Sequence, residues 1–75
     1  MSEPALIERL WRWCQSGDGD HFSWAIGRMI SEYRNHLHMC EVRTGDKPHQ
    51  ALAYGMMADA LYEALRVHAA RLGVQ

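Results

Sequence analysis

A dominant charge sign is the first thing missing from this chain. Eight basic residues stand against nine acidic ones, for a net charge of -1. The balance barely drifts: four acids and two bases in residues 1–22, three and four in 23–47, two of each in 48–75. Proteins that bind nucleic acid normally draw much of their affinity from a basic stripe, so the composition argues against that class. Cysteine is scarce as well. Cys14 and Cys40 are too few to staple a small secreted scaffold, and no C-x-x-C or zinc-finger spacing occurs. They read as two buried free thiols in a reducing compartment. No apolar run approaches the roughly 18 residues of a membrane span, and the N-terminus lacks the basic-then-apolar order of a signal peptide. These absences lead to the expectation of a cytoplasmic protein with no membrane partner.

Strand-like alternation is also absent. What is present is helical periodicity in three segments, at about residues 3–16, 20–43 and 47–72. Ser2 can cap the first, with Glu3 and Pro4 in its opening turn. Leu6, Ile7, Leu10, Trp13 and Cys14 fall within one arc, and Trp11 borders it. Gly17-Asp18-Gly19 is a breaker cluster. Asp18 or Asp20 can cap the second helix, whose stripe reads Phe22, Ile26, Met29, Tyr33, Leu37 and Cys40, with Ile30 alongside. Gly45 is a natural stop because it tolerates positive φ. Asp46 then caps the third helix, with Pro48 in its first turn.

The third helix carries two apolar stripes. Ala51, Tyr54, Ala58, Leu61, Leu65, His68 and Leu72 form the first; Leu52, Met56, Ala60 and Val67 form the second. One stripe is enough for a helix that packs on a single core. A chain of 75 residues buries only about 60% of its unfolded surface and commonly needs reinforcement, oligomerisation included. The short link between the long helices predicts an antiparallel hairpin, with the first helix folded across it. One helix that short cannot cover both long faces. The fold expected is therefore all-α: a single domain made of a short N-terminal helix and a long hairpin, assembling as a homodimeric helical bundle through Leu52, Met56, Ala60 and Val67.

Functional signals are sparse. No G-x-S-x-G, P-loop or G-x-G-x-x-G is present, and no serine or cysteine has an obvious base beside it. The chain reads as a non-enzyme with no cofactor and no evident small-molecule substrate. His36 and Cys40, one helical turn apart, form half of a zinc site, and His49 is a third candidate; a closed site needs four ligands. His68 is the odd polar member of a leucine-rich seam and reads as a boundary residue, with a pH-sensitive packing role as the alternative. The aromatic positions are more informative. Trp24 lies about 160° from the apolar stripe of its helix, on a face shared with Arg28 and His38. Tryptophan and arginine are enriched at binding hot spots, which makes Trp24, Arg28, Trp11 and His38 the candidate partner-binding residues.

The function expected is stoichiometric binding to a macromolecular partner, most simply a protein, as a regulator, adaptor or inhibitor of the kind that phages and mobile elements also encode. The alternatives are a small DNA-binding regulator and a metal-binding helical module. Arg28, Arg34, Arg43 and Lys47 do not share one face, which disfavours the DNA reading.

Overall fold

The computed structural model describes residues 3–16 and 20–74, all in helices, turns and short connections. Helix α1 spans Glu3–Gln15, α2 spans Asp20–Arg43 and α3 spans Pro48–Leu72. Among the described residues there is no strand, and no helix is long and apolar enough to cross a membrane. The expected caps Ser2 and Asp18, and both glycines of the breaker cluster, lie outside the described residues.

The most extensive contact is between α2 and α3, the next between α1 and α2. The core is assembled from all three helices. Leu6, Ile7 and Leu10 of α1 meet Ile26, Ile30 and Tyr33 of α2, with Ala58, Leu65 and Ala69 of α3 completing the cluster. Leu10, Ile30 and Leu65 are the largest side chains wholly removed from water, one from each helix. Every member of the first α3 stripe, from Ala51 to Leu72, is buried or half-buried. Along the α2–α3 contact, the Tyr33 and Tyr62 rings lie 5.9 Å apart. His36 stands 5.9 Å from Tyr54.

The α2 stripe needs correction at both ends. Phe22 is 69% exposed and Leu37 is also exposed, whereas Ile30 sits at the centre. Helix α1 approaches α2 from the side of Ile30, so the packing axis of α2 is shared between two neighbours. Phe22 and Leu37 are left exposed by α1 and α3. A period count assumes one partner and centres the stripe too far from α1.

Helix ends also differ from expectation. Lys47, and not Asp46, is the N-cap of α3, and it makes no side-chain capping bond. Pro48 occupies the first turn as expected, where its missing N–H leaves no bond unmade. Gly45 does not adopt positive φ; among the described residues the glycine that does is Gly73, at φ 74. The end of α2 is closed by Thr44, whose hydroxyl donates to the Cys40 carbonyl at 2.7 Å. The Lys47 N–H donates to the Arg43 carbonyl at 2.9 Å. Gly73 closes α3 in a left-handed cap, with the Val74 N–H donating to the Ala69 carbonyl at 2.9 Å. Val74 then packs on the core, the apolar contact that accompanies this type of cap.

Length explains the shape. Thirteen residues make α1 about 20 Å long, against about 36 Å for α2. Helix α1 therefore covers roughly half of the α2–α3 pair. The molecule measures 42 × 21 × 15 Å. Its radius of gyration, 13.3 Å, exceeds the roughly 11 Å of a compact chain this long. In the half without α1, the core thins to Ala51, Cys40 and Gly55, and a Cβ on Gly55 would stand 3.4 Å from the Cys40 sulfur. Two buried polar atoms there, His36 Nδ1 and Arg43 Nε, have no hydrogen-bond partner among the described residues.

The second α3 stripe faces away from α2. Leu52 and Met56 are each 64% exposed, and Ala60 and Val67 are exposed too. It is also interrupted. Glu63 lies within its arc and is held by Arg66, whose Nε donates to the carboxylate at 3.1 Å. That bond lowers the Glu63 pKa below the usual carboxylate range. Val67 is thus separated from Leu52, Met56 and Ala60 by a charged pair.

Leu10→Ala is expected to cost about 2–5 kcal/mol, a large share of the ~4–11 kcal/mol available to a 75-residue domain. Chemical denaturation monitored by helicity checks this; a loss below about 1 kcal/mol contradicts the three-helix core.

Candidate partner-binding groove

The two helices that meet at Ile30 diverge above it. Between α1 and the first half of α2 they leave a groove of about 490 Å³. Its walls follow from helical spacing. Trp11, Cys14 and Gln15 are three and four residues apart and present one edge of α1. Trp24 and Arg28, four apart, form the opposite wall on α2. Ser23, Gly27 and Ser31 recur every four residues between them and form the floor.

Each wall is held in place. The Arg34 guanidinium carbon lies 5.5 Å from the Trp11 ring centroid, a cation–π distance that fixes one indole. Arg28 Nε stands 3.5 Å from a Glu32 oxygen, and the other oxygen of Glu32 is 4.0 Å from His36 Nε2. Glu32 thus draws the Arg28 head along the rim while leaving it exposed. Trp24 is 73% exposed. Helix α1 does not cover it but stands across the groove from it. Burial raises the Cys14 pKa, which keeps the sulfur a neutral thiol at neutral pH and lowers its reactivity.

Gly27 is the least expected part. It lies inside a 24-residue helix, where glycine costs about 1 kcal/mol relative to alanine. It does not use positive φ, and no described atom outside its own helix comes within 4 Å of where a Cβ would stand. Neither its conformation nor packing among the described residues requires it. Its effect is to deepen the floor between two tryptophans.

Three of the four candidate binding residues, Trp11, Trp24 and Arg28, therefore line one groove. His38 does not. It is exposed on α2 two turns beyond Ser31, outside the lining. Sequence reasoning also missed Gly27 and its flanking serines, although a mid-helix glycine between serines at spacing four was a readable signal. The metal candidates are dispersed in their contacts: His36 packs beside Tyr54, the Cys40 sulfur faces Gly55, and His49 is exposed. Among the described residues no group of three or more His, Cys, Asp or Glu is placed to hold a metal ion. The basic residues serve different neighbours as well. Arg28 pairs with Glu32, Arg34 stacks on Trp11, and Arg43 is half-buried.

A second cleft, of about 480 Å³, opens on the α2–α3 seam between Phe22, Ala25, Met29, His68 and Leu72. It locates His68 at a half-buried edge of the seam. Comparison with protein-family models, curated proteins and solved structures finds no match for the chain.

Two outcomes follow from the groove. Trp24→Ala should change unfolding free energy by less than about 0.5 kcal/mol, because its ring supports no core contact. Gly27→Ala should stabilise the fold by roughly 1 kcal/mol, raising Tm by ~4–8 °C. Thermal melts of both variants decide the point; a destabilised Gly27→Ala would mean the chain itself needs that glycine.

Proposed function

We propose that this protein is a non-enzymatic interaction module that acts stoichiometrically on a protein partner through the Trp11–Trp24–Arg28 groove. The reading places it in the cytoplasm, as a regulator, adaptor or inhibitor built on an antiparallel helical hairpin. The observation that carries it is Trp24, 73% exposed and lining one groove with a second indole, Trp11, and with Gly27. Burying a tryptophan face is worth far more than burying most other side chains, and indoles beside a guanidinium are the composition of interface hot spots. The groove offers aromatic faces, one cation and short hydroxyl side chains. These groups recognise a partner surface carrying an apolar or aromatic knob beside an acid.

The test is capture from the native cell on immobilised wild-type protein, with Trp24→Ala, Arg28→Ala and Met56→Ala in parallel, followed by calorimetry with the captured protein. Trp24→Ala should cost at least about 2 kcal/mol in binding, or ~30-fold in Kd. Met56→Ala, on the far side of the molecule, should bind as wild type. Captured DNA with a steep salt dependence would favour the DNA-regulator reading instead. A set of captured proteins indifferent to Trp24 would overturn the groove.

A further inference from the structure

The part of the molecule that α1 leaves bare has an unusual composition. Residues 51–58 of α3 read Ala-Leu-Ala-Tyr-Gly-Met-Met-Ala, with no charged side chain on any face. A helix that is apolar all round is normally enclosed. Here only the α2-facing side is enclosed. Ala51 and Ala58 are buried, while Leu52, Ala53, Met56 and Met57 are exposed. We propose that a second copy of this chain covers that face, by antiparallel packing of α3 on α3.

The register can be read from the residues. His49, Ala53, Met56 and Ala60 are spaced 4-3-4, the seam spacing of helices that supercoil about each other. At about 100° per residue this seam lies some 180° from the α2-facing residues Ala51, Ala58 and Leu65. It is therefore a true second face, not the edge of the first. The pattern is self-complementary under a two-fold axis between Tyr54 and Gly55. Ala53 of one copy then meets Met56 of the other and His49 meets Ala60, with Leu52 and Met57 on opposite flanks of the seam. Small side chains oppose large ones, and alanines seven apart allow close helix approach.

Charge supports a second copy in particular. An isologous contact sets a surface against itself, so any net charge on it meets its like. Residues 51–58 carry none; Asp59 stands on the flank of the seam beside Ala60, and the charged pair Glu63–Arg66 lies beyond it. Area agrees. The chain exposes 5177 Å², against about 4,700 Å² for a compact monomer of 8.6 kDa. A standard interface removes ~800 Å² from each partner, which more than absorbs the excess. Four helices would then close the half that two leave open. The proposal is independent of the Trp11–Trp24–Arg28 groove, which lies on other faces of α1 and α2.

Sedimentation equilibrium at about 100 µM is expected to give twice the 8.6 kDa chain mass. Met56→Glu should weaken dimerisation at least about tenfold and keep its helicity, because Met56 is 64% exposed in the single chain. Val67→Glu, beyond the Glu63–Arg66 pair, should leave the dimer unchanged. Mixed Ala53→Cys and Met56→Cys proteins should form a disulfide with each other faster than either forms with itself, measured against the Cys14 and Cys40 baseline of the unsubstituted chain. A wild-type monomer at that concentration would overturn the proposal. So would a dimer that survives Met56→Glu, or one whose crosslinks ignore this register.

Discussion

Leu10, Ile30 and Leu65 come from three different helices and are the largest side chains wholly removed from water among the described residues. Their meeting point sets where α1 crosses the α2–α3 pair, and most other features follow from that crossing. Tyr33 and Tyr62 pack beside one another on the α2–α3 contact, Phe22 and Leu37 stay exposed, and the groove lies between α1 and α2. A 13-residue helix cannot supply this contact along the whole of a pair nearly twice its length. The protein is consequently built in two grades: a three-helix half with interlocking apolar side chains, and a two-helix half stitched by small residues and polar rings.

The second grade has a physical cost that can be located. Cavity and burial arguments make large apolar side chains the main source of stability, and beyond Tyr33 the α2–α3 contact offers few. Ala51, Gly55 and Cys40 draw the helices together there, but they remove little apolar surface from water. His36 and Arg43 each bury a polar atom without a protein partner, which costs energy. Residues 51–58, free of charge on all faces, complete the contrast. The segment without charge thus lies in the half that α1 leaves uncovered, and it keeps Leu52, Met56 and Met57 in contact with water.

Much of this was legible in the sequence, for identifiable reasons. The three helices and their lengths followed from apolar periodicity, proline placement and the breaker cluster, all local signals. The first α3 stripe was read correctly because one neighbour, α2, dominates its packing. The α2 stripe was misjudged because two helices share that surface, and a single period cannot represent two partners. Capping was the least legible. Asp46 looked like the better cap by side chain, yet the turn at residues 44–46 leaves the position to Lys47. In the groove, Trp11, Trp24 and Arg28 were found because tryptophan on a polar face is conspicuous. Their convergence depended on the angle at which α1 crosses α2, which no local pattern encodes. His38 was grouped with them by helical face alone, and its distance along the axis separated it.

The groove has one wall on α1 and one on α2, and this has a kinetic and thermodynamic corollary. Contacts of α1 with α3 join residues far apart in the chain, such as Leu10 and Leu65, whereas α2 and α3 are linked by a turn of a few residues. Helix α1 is also the shortest element and makes less contact with the pair than α2 and α3 make with each other, which makes it the first to detach. Each detachment parts the groove, since Trp11 leaves with α1 while Trp24 stays behind. On the binding reading proposed above, an occupant held between the indoles would fasten α1 to its neighbours, and whatever loosens α1 would eject it.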